Sequence, residues 1–199
     1  DGCLGMSSRT DAGVSVRMNL ARLDLSDAVS SSVDERRVLR ALNDHLPEDI
    51  VAWGAIRVPE RYPSRPVISR KYYYRSEISR RWPADINMED LEEVCSIFEG
   101  HHDFSNFCRV EGGRDTERSI EECKPWVNSE GRAIGISVSA QSFLWNQVRR
   151  ISSAVTSVIS GEIGKDDLID ALDSPERPVD FGMDPPEGLV LWEIEHASL

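Results

Sequence analysis

The sequence predicts a protein of the α+β fold class, made of antiparallel sheets and amphipathic helices. Apolar and polar residues alternate in several short runs, which is the pattern of half-buried strands. Between residues 144 and 158, apolar residues instead recur every three or four positions, as on one face of a helix. From residue 67 onward the predicted elements follow the order βαββαβ, which is the order of the ferredoxin-like fold.

Residues 1–64 are predicted to form a small first domain with the order strand, helix, strand. The run from Val14 alternates as a strand, and a change of phase near Ala21 predicts a bulge. Asp34 is a suitable N-cap for a helix that ends at Pro47. Residues 50–58 are predicted as the second strand.

Pro59, Pro63 and Pro66 interrupt regular structure, and we therefore place the domain boundary between residues 64 and 65. The second domain, residues 65–199, is predicted to contain the main βαββαβ series. Its elements are a strand at 67–78, a helix after Asn87, an irregular loop at 101–113, a hairpin of strands 120–127 and 134–140, helices at 144–158 and 166–172, and a strand at 189–194.

The composition is that of an ordinary soluble globular protein, with 40% hydrophobic and 29% charged residues. No run approaches the roughly 18 apolar residues of a membrane span, and no export leader is visible. The four cysteines are widely spaced and include no Cys-x-x-Cys pair, so neither a zinc site nor a disulfide framework is expected. We therefore expect a cytoplasmic protein with reduced thiols and no membrane partner.

The charge of the chain is unevenly distributed. Asp and Glu number 35 against 23 Lys and Arg, and the net charge of −12, taken alone, argues against a nucleic-acid partner. This acidic, lysine-poor composition is what we expect of a protein working in high salt. Residues 57–81, however, hold eight basic residues and two acidic ones, an excess of +6. This segment predicts a local site for an anion, with a solvated charged strand as the alternative.

The stretch Ser-Arg-Thr-Asp-Ala-Gly-Val at residues 8–14 places one carboxylate, Asp11, in a tight turn. Gly13 accepts positive φ, and its small neighbours leave the backbone accessible. A lone Asp in such a turn usually forms only an Asx-turn, and this structural role is the first alternative for Asp11.

Five separated segments match one family together. Residues 8–14 carry the Arg-Thr-Asp turn, residues 70–74 read Arg-Lys-Tyr-Tyr-Tyr, and residues 142–151 contain Phe-Leu-x-x-x-Val-Arg. Further landmarks are Leu-Pro-Glu-Asp-Ile at 46–50 and Gly-His-His-Asp-Phe-Ser-Asn-Phe at 100–107. In this order the segments resemble the tRNA pseudouridine synthases of the TruA type. The resemblance extends from about residue 5 to the C-terminus.

The resemblance implies that Asp11 is the catalytic residue of an isomerase that converts uridine to pseudouridine in the anticodon stem-loop of tRNA. Arg149 would be the cation beside Asp11, and Val148 would floor the pocket. Tyr72 would stack on the target base, and Arg9 would help to hold the flipped nucleotide. Without the resemblance, the simpler interpretations are a solvent-facing Arg149, a core aromatic at Tyr72 and plain surface charge at Arg9.

The predicted chemistry detaches uracil from its ribose, turns the base and rejoins it through carbon. It needs no metal or cofactor, but the nucleotide must leave its stack so that a carboxylate can reach the sugar–base junction. Asp11 must stay ionised in a pocket that excludes water, and a cation within a few Å opposes the effect of burial. Asp11 is expected to act as the nucleophile or as the general base, and the sequence leaves both open.

The resemblance also implies an architecture: two ferredoxin-like (RRM-like) domains with a cleft between them, in a homodimer that binds tRNA. Family members have a strand and a helix ahead of the Arg-Thr-Asp motif, so the first domain is expected to be incomplete in this chain. The sequence leaves open whether such a chain is active or dimeric.

Within the basic segment, Arg65, Arg70 and Lys71 are expected to follow the RNA backbone, which contributes affinity without sequence information. His101 and His102, followed by Asp103, suggest a metal site, but no third ligand has suitable spacing. We therefore expect no metal there, and assign these three residues to loop or positioning roles.

Two other functions remain as alternatives. A non-catalytic RNA-binding protein of the same fold would keep the basic segment but would not need Asp11 with Arg149. A carboxylate-based hydrolase would usually need a second acid opposite Asp11, and the matched segments contain no evident candidate.

Overall fold

The computed structural model describes residues 3–59 and 67–197. Within these residues the chain forms eight strands and five α-helices. In chain order they are β1 (Cys3–Met6), β2 (Ser15–Val16), β3 (Ala21–Asp24), α1 (Asp27–Ser30), α2 (Glu35–Asn43), β4 (Val67–Tyr74), α3 (Met88–Ser96), β5 (Gly100–Asp103), β6 (Glu117–Val127), β7 (Ala133–Ala140), α4 (Gln147–Ile159), α5 (Lys165–Asp173) and β8 (Leu189–His196). Across the described ranges, every helix is too short or too polar to cross a membrane.

The chain divides into two compact units. The larger unit contains Arg9–Asn19 and Val67–His196, and the smaller contains residues 3–8, 20–59 and 197 among those described. The sequence places residues 1–64 in one domain, whereas the structure groups 9–19 with the larger unit because β2 pairs with β8. The predicted boundary between residues 64 and 65 lies outside the described residues.

In the smaller unit, β1 and β3 pair antiparallel, and α2 begins where the sequence predicts. Asp34 caps α2 by accepting a hydrogen bond from the backbone N–H of Arg37. The predicted strand at 50–58 is wrong, since these residues have no regular secondary structure. The side chain of Asn43 bonds both the N–H and the C=O of Ala52, at 2.8 Å each, in the place that a partner strand would occupy.

The sequence pattern from Val14 onward predicts one strand with a bulge near Ala21, but the structure divides it between two sheets. β2 joins the sheet of the larger unit, and β3 pairs with β1 in the smaller unit. The change of phase near Ala21 therefore marks the passage of the chain from one unit to the other. The strand β1 was not predicted from the sequence.

The larger unit is built on a six-stranded sheet with the order β2-β8-β4-β7-β6-β5. The β2–β8 pair is parallel, and the remaining neighbours are antiparallel. The prediction of a mixed α and β fold with antiparallel pairing is confirmed at this level. The predicted irregular loop is wrong for residues 101–103, which belong to the edge strand β5. Their polar side chains hide the apolar alternation that would have indicated a strand.

The core of the larger unit includes α4, which packs on α3, β4 and β7. Almost all residues from Gln147 to Ser157 are buried. In β4, Tyr72 and Tyr74 are buried, whereas the ring of Tyr73 meets two tryptophans on the other face. Packing against the sheet and α3 thus fixes the start of α4, which carries Val148 and Arg149.

Candidate active site

The Asp11 turn leads directly into β2 at the edge of the six-stranded sheet. The backbone N–H of Val14 donates to the carbonyl oxygen of Asp11 at 3.2 Å, which closes the turn. Gly13 has φ +87°, a backbone conformation that residues other than glycine rarely adopt. A Cβ at Gly13 would also lie 3.1 Å from Cγ of Pro186. The turn therefore requires glycine here for two independent reasons.

Asp11 forms an ion pair with Arg149. The Arg149 Nη1 and Asp11 Oδ2 atoms are 3.4 Å apart, with side-chain exposures of 10% for Arg149 and 35% for Asp11. Two further bonds orient the guanidinium: Nε donates to the carbonyl oxygen of Asp184 at 2.8 Å, and Nη1 donates to Asn146 Oδ1 at 3.2 Å. Arg149 does not point to solvent, and the alternative of a surface arginine is excluded.

A sharp turn before α4 brings a second donor to Asp11. The backbone N–H of Gln147 donates to the carbonyl of Leu144 at 3.1 Å, and Asn146 lies inside this turn with left-handed φ 65° and ψ 7°. The preceding residue, Trp145, donates its indole N–H to Asp11 Oδ1 at 3.1 Å. Each carboxylate oxygen of Asp11 thus receives one donor from the start of α4.

Trp145 and Asn146 were missed by the sequence reasoning. Both occupy variable positions of the Phe-Leu-x-x-x-Val-Arg segment, so the family resemblance assigns them no role. The available signal was their residue type: an indole donor, and an asparagine that tolerates the left-handed conformation.

Val148 and Tyr72 lie in the packed part of the larger unit. Val148 is buried in the first turn of α4. Tyr72 is 6% exposed, and its ring meets Phe143 edge-to-face at a centroid distance of 5.2 Å. Tyr72 is therefore packed against the segment that leads to Trp145 and α4. Its proposed stacking on a base stays a prediction.

The predicted RNA-contacting residues have different surroundings. Arg9 is exposed, two positions before Asp11. Arg70 donates from Nη1 to the carbonyl oxygen of Gln141. Arg65 lies outside the described residues. The roles of these three arginines stay predictions.

Carboxylates from elsewhere in the chain neutralise part of the basic segment 57–81. Lys71 Nζ lies 3.2 Å from Glu122 Oε1, and Arg81 Nη2 lies 2.9 Å from Glu162 Oε2. Arg57, in the smaller unit, is paired with Glu35. The local excess of +6 therefore overstates the free positive charge of this segment, because the sequence count omits these partners.

The pair of histidines in β5 makes structural contacts. His102 Nε2 lies 2.8 Å from the carbonyl oxygen of Glu99, and His101 Nδ1 lies 3.1 Å from Ser119 Oγ. In the described part of the chain, His, Cys, Asp and Glu side chains form no group of three that could hold a metal ion.

The segment between α5 and β8 packs beside the candidate site and bonds Arg149 through Asp184. Asp184 is buried, and this burial raises the pKa of its carboxyl, against the opposing effects of the hydrogen bond from Ser152 and of the nearby arginines. The Tyr74 hydroxyl donates to the carbonyl of Pro185 at 2.7 Å, and burial raises the pKa of Tyr74 well above its usual range. The same segment includes Pro186, which a Cβ at Gly13 would meet.

The candidate site thus centres on one ion-paired carboxylate, Asp11, in a turn at the edge of a mixed sheet. The sequence model of the family described as tRNA pseudouridine synthase matches residues 94–196, which include Arg149. The chain belongs to the tRNA pseudouridine synthase family.

Archaeal relatives agree with this assignment. The chain is 33% identical to tRNA pseudouridine synthase A of Pyrococcus furiosus over 196 residues, which cover 97% of this chain and 68% of the relative. It is also 33% identical to the proteins of the same name from Methanocorpusculum labreanum, over 94% of this chain and 62% of the relative, and from Methanothermobacter thermautotrophicus, over 96% and 64%. The chain thus spans about two thirds of the length of these relatives.

Proposed function

We propose that the protein isomerises uridine to pseudouridine in tRNA, with Asp11 as the catalytic carboxylate. The observation that carries the proposal is the contact of Arg149 Nη1 with Asp11 Oδ2 at 3.4 Å. It joins residues from two of the five segments that resemble the family, although 138 positions separate these residues in the sequence. A non-catalytic RNA-binding protein would have no use for this pair.

The reaction breaks the bond between C1′ of the ribose and N1 of uracil and forms a bond between C1′ and C5. The proton on C5 leaves, and N1 gains one, so the reaction needs no external oxidant or reductant. Asp11 is one-third exposed, which leaves it accessible to a nucleotide flipped out of the RNA. When RNA covers the site and removes water, the charge of Arg149 stabilises the ionised carboxylate.

Both routes considered for the carboxylate start from this ionised form. In one, Asp11 attacks C1′ as a nucleophile; in the other, it removes a ribose proton as a base. The two donors on Asp11 fix the direction of its oxygens in either case. In this proposal Arg149 provides the charge, and Asp11 carries the bond-making or proton-transfer step.

The substrate contacts are part of the same proposal. Val148 and Tyr72 would form the apolar wall against the uracil, and Arg9 would contact the flipped nucleotide from the exposed side of the turn. Arg65, Arg70 and Lys71 would follow the RNA backbone. The family resemblance supports the anticodon stem-loop as substrate, a homodimer as the active form and the cytoplasm as the location.

We also infer that the larger unit is ferredoxin-like. Its central strands have the order β8-β4-β7-β6, with mutual antiparallel pairing and with α3 and α4 as the connecting helices. This order supports the βαββαβ arrangement that the sequence predicts.

An assay of tRNA labelled with tritium at C5 of its uridines tests the proposal, because isomerisation releases that proton to water. We expect release by the wild-type protein and none by the Asp11→Asn variant, with the tRNA dissociation constant changed by less than about 3-fold. The Asp170→Asn variant, which changes an exposed carboxylate on α5, is the matched control. Tritium release by Asp11→Asn at the wild-type rate would remove Asp11 from its catalytic role.

A further inference from the structure

Trp145 contacts the carboxylate of Asp11, although Trp145 itself is exposed to solvent. Its indole N–H donates to Asp11 Oδ1 at 3.1 Å, while the residue remains 40% exposed. An exposed indole can exchange this bond for water, so the contact persists only if other groups hold the ring in place.

Arg109 holds the indole in place. Its guanidinium carbon lies 4.0 Å from the centroid of the Trp145 ring, well within the range of a cation–π contact. The backbone N–H of Arg109 also donates to the carbonyl oxygen of Trp145 at 2.8 Å. The backbone and the ring of Trp145 are thus both restrained by the same residue.

The local backbone contributes a third restraint. Trp145 lies directly before Asn146, whose left-handed conformation turns the chain into α4. The side chain of Gln147 closes this turn by accepting from the backbone N–H of Leu144 at 2.8 Å. The turn therefore sets the directions in which Trp145 and Arg149 approach Asp11.

We propose that Trp145 is a positioning residue for Asp11 and that Arg109 supports it by stacking on the indole. Arg149 alone, at 3.4 Å from one oxygen, would leave the carboxylate free to rotate about its Cβ–Cγ bond. A second donor on Oδ1 removes this rotation, so that Asp11 presents the same lone pairs to each bound nucleotide. Small errors in such orientation cost large factors in rate. The inference rests on the proposed function of Asp11.

A direct RNA-binding role is the competing explanation, because an exposed arginine stacked on an indole also suits a nucleotide. The two explanations predict different kinetic effects. A positioning residue changes the rate of the bound complex with little change in tRNA affinity. An RNA contact changes the affinity and its salt dependence, and leaves the rate at saturation nearly unchanged.

Single-turnover tritium release and tRNA binding of three variants test the proposal. Trp145→Phe keeps a flat ring without the N–H, and Trp145→His restores a ring N–H, since Nε2 of histidine overlies Nε1 of tryptophan. We expect Trp145→Phe to lower the rate about 10- to 100-fold and Trp145→His to recover part of the loss. Arg109→Met should lower the rate about 2- to 5-fold. Each variant should bind tRNA within about 2-fold of wild type.

A spectrum of indole N–H groups keeps this test separate from the test of the enzyme activity. The chain has five tryptophans, and the Trp145 resonance is the one absent in Trp145→Phe. We expect this resonance to shift in Asp11→Asn and in Arg109→Met, in the full chain and without any substrate. An unmoved resonance, a wild-type rate for Trp145→Phe, or a loss confined to tRNA affinity would each overturn the proposal. A shifted resonance in a wild-type protein that releases no tritium would instead reject the proposed function.

Discussion

Arg149 and Asp184 are joined by two hydrogen bonds that run in opposite directions. The Arg149 Nε–H donates to the carbonyl oxygen of Asp184 at 2.8 Å, and the backbone N–H of Asp184 donates to the carbonyl oxygen of Arg149 at 3.3 Å. The first bond orients the guanidinium, and the second ties the segment before β8 to the first turn of α4. The direction of Nη1 toward Asp11 is therefore set by the packing of α4 against the segment before β8.

The first prediction concerns the length and shape of the cation at position 149. Arg149→Lys keeps the charge. A single ammonium, however, cannot replace both the Nε that bonds Asp184 and the Nη1 that reaches Asp11. We expect Arg149→Met and Arg149→Lys to lower the single-turnover rate, by about 100-fold for Met and by nearly as much for Lys. Tritium release measures the rate, and thermal melting shows whether the variants remain folded.

The neighbouring residue supplies a matched control for this prediction. Arg150 is paired with the exposed Asp180 at 2.9 Å and does not contact Asp11. Arg150→Lys should leave the rate within about 2-fold of wild type. A wild-type rate for Arg149→Lys would show that the charge alone is sufficient and would reject the geometric argument.

The second prediction is a pH dependence of stability that originates at Asp184. Burial raises the pKa of this carboxyl in the folded state above its ordinary value. The folded protein therefore binds this proton more tightly than the unfolded chain does. The contribution to stability is fully present below the ordinary Asp range of about 3.9 and is lost as pH rises through the raised pKa.

Urea unfolding of wild type and Asp184→Asn across this pH range tests the second prediction. The asparagine amide oxygen can still accept from Ser152, so the variant keeps the bond without the titrating group. We expect its free energy of unfolding to fall less steeply with rising pH. Asp180→Asn is the control of opposite sign, since the Gly182 N–H and Arg150 lower the pKa of Asp180. Identical slopes for wild type and Asp184→Asn would contradict the assignment.

The third prediction separates two roles of Gly13. Gly13→Ala imposes a left-handed alanine, which costs about 1–2 kcal/mol, and adds a Cβ contact with Pro186. We expect loss of stability together with loss of tritium release, because the displaced turn carries Asp11. Gly113→Ala is the matched control, with a similar φ of +78° and open space around the added Cβ. The control should lose stability but keep its rate, and equal rates for both variants would contradict this argument.

The sequence predicted the partners at the centre of the candidate site better than their surroundings. Asp11 and Arg149 each lie in a segment whose residue types match a family, and the structure brings them together. Trp145 lies in the same segment as Arg149, but its contact with Asp11 depends on the left-handed turn at Asn146. A side-chain direction set by one unusual backbone angle leaves no periodic signal in a sequence.

The errors in the fold have a common physical origin, because strand patterns do not specify strand partners. Residues 50–58 carry the pattern of a strand, but Asn43 satisfies the backbone at Ala52. Residues 101–103 lack an apolar pattern and yet form β5, because β6 offers a free edge. The charge count of the basic segment omits its carboxylate partners for a similar reason, since Glu122 and Glu162 are distant in sequence from Lys71 and Arg81 and close to them in space.

The fourth prediction tests whether Lys71 reaches the RNA once its carboxylate partner is removed. Glu122 pairs with Lys71 at 3.2 Å and also accepts a hydrogen bond from Lys124. The bond from Lys124, and to a smaller extent that from Lys71, lowers the pKa of Glu122. Glu122→Gln keeps the shape of the side chain and frees the ammonium of Lys71. We expect tighter tRNA binding and a plot of log affinity against log salt that steepens by about one unit, as for one added phosphate contact.

Glu130→Gln is the control for this last prediction. Glu130 is exposed at the β6–β7 turn, and its substitution removes the same single charge from the chain. Titrations of tRNA at several KCl concentrations should give Glu130→Gln a wild-type slope. If Glu122→Gln tightened binding no more than Glu130→Gln did, the effect would be one of net charge. Lys71 would then have no place on the RNA path, and the exposed Arg9 beside Asp11 would become the first residue to examine for phosphate contact.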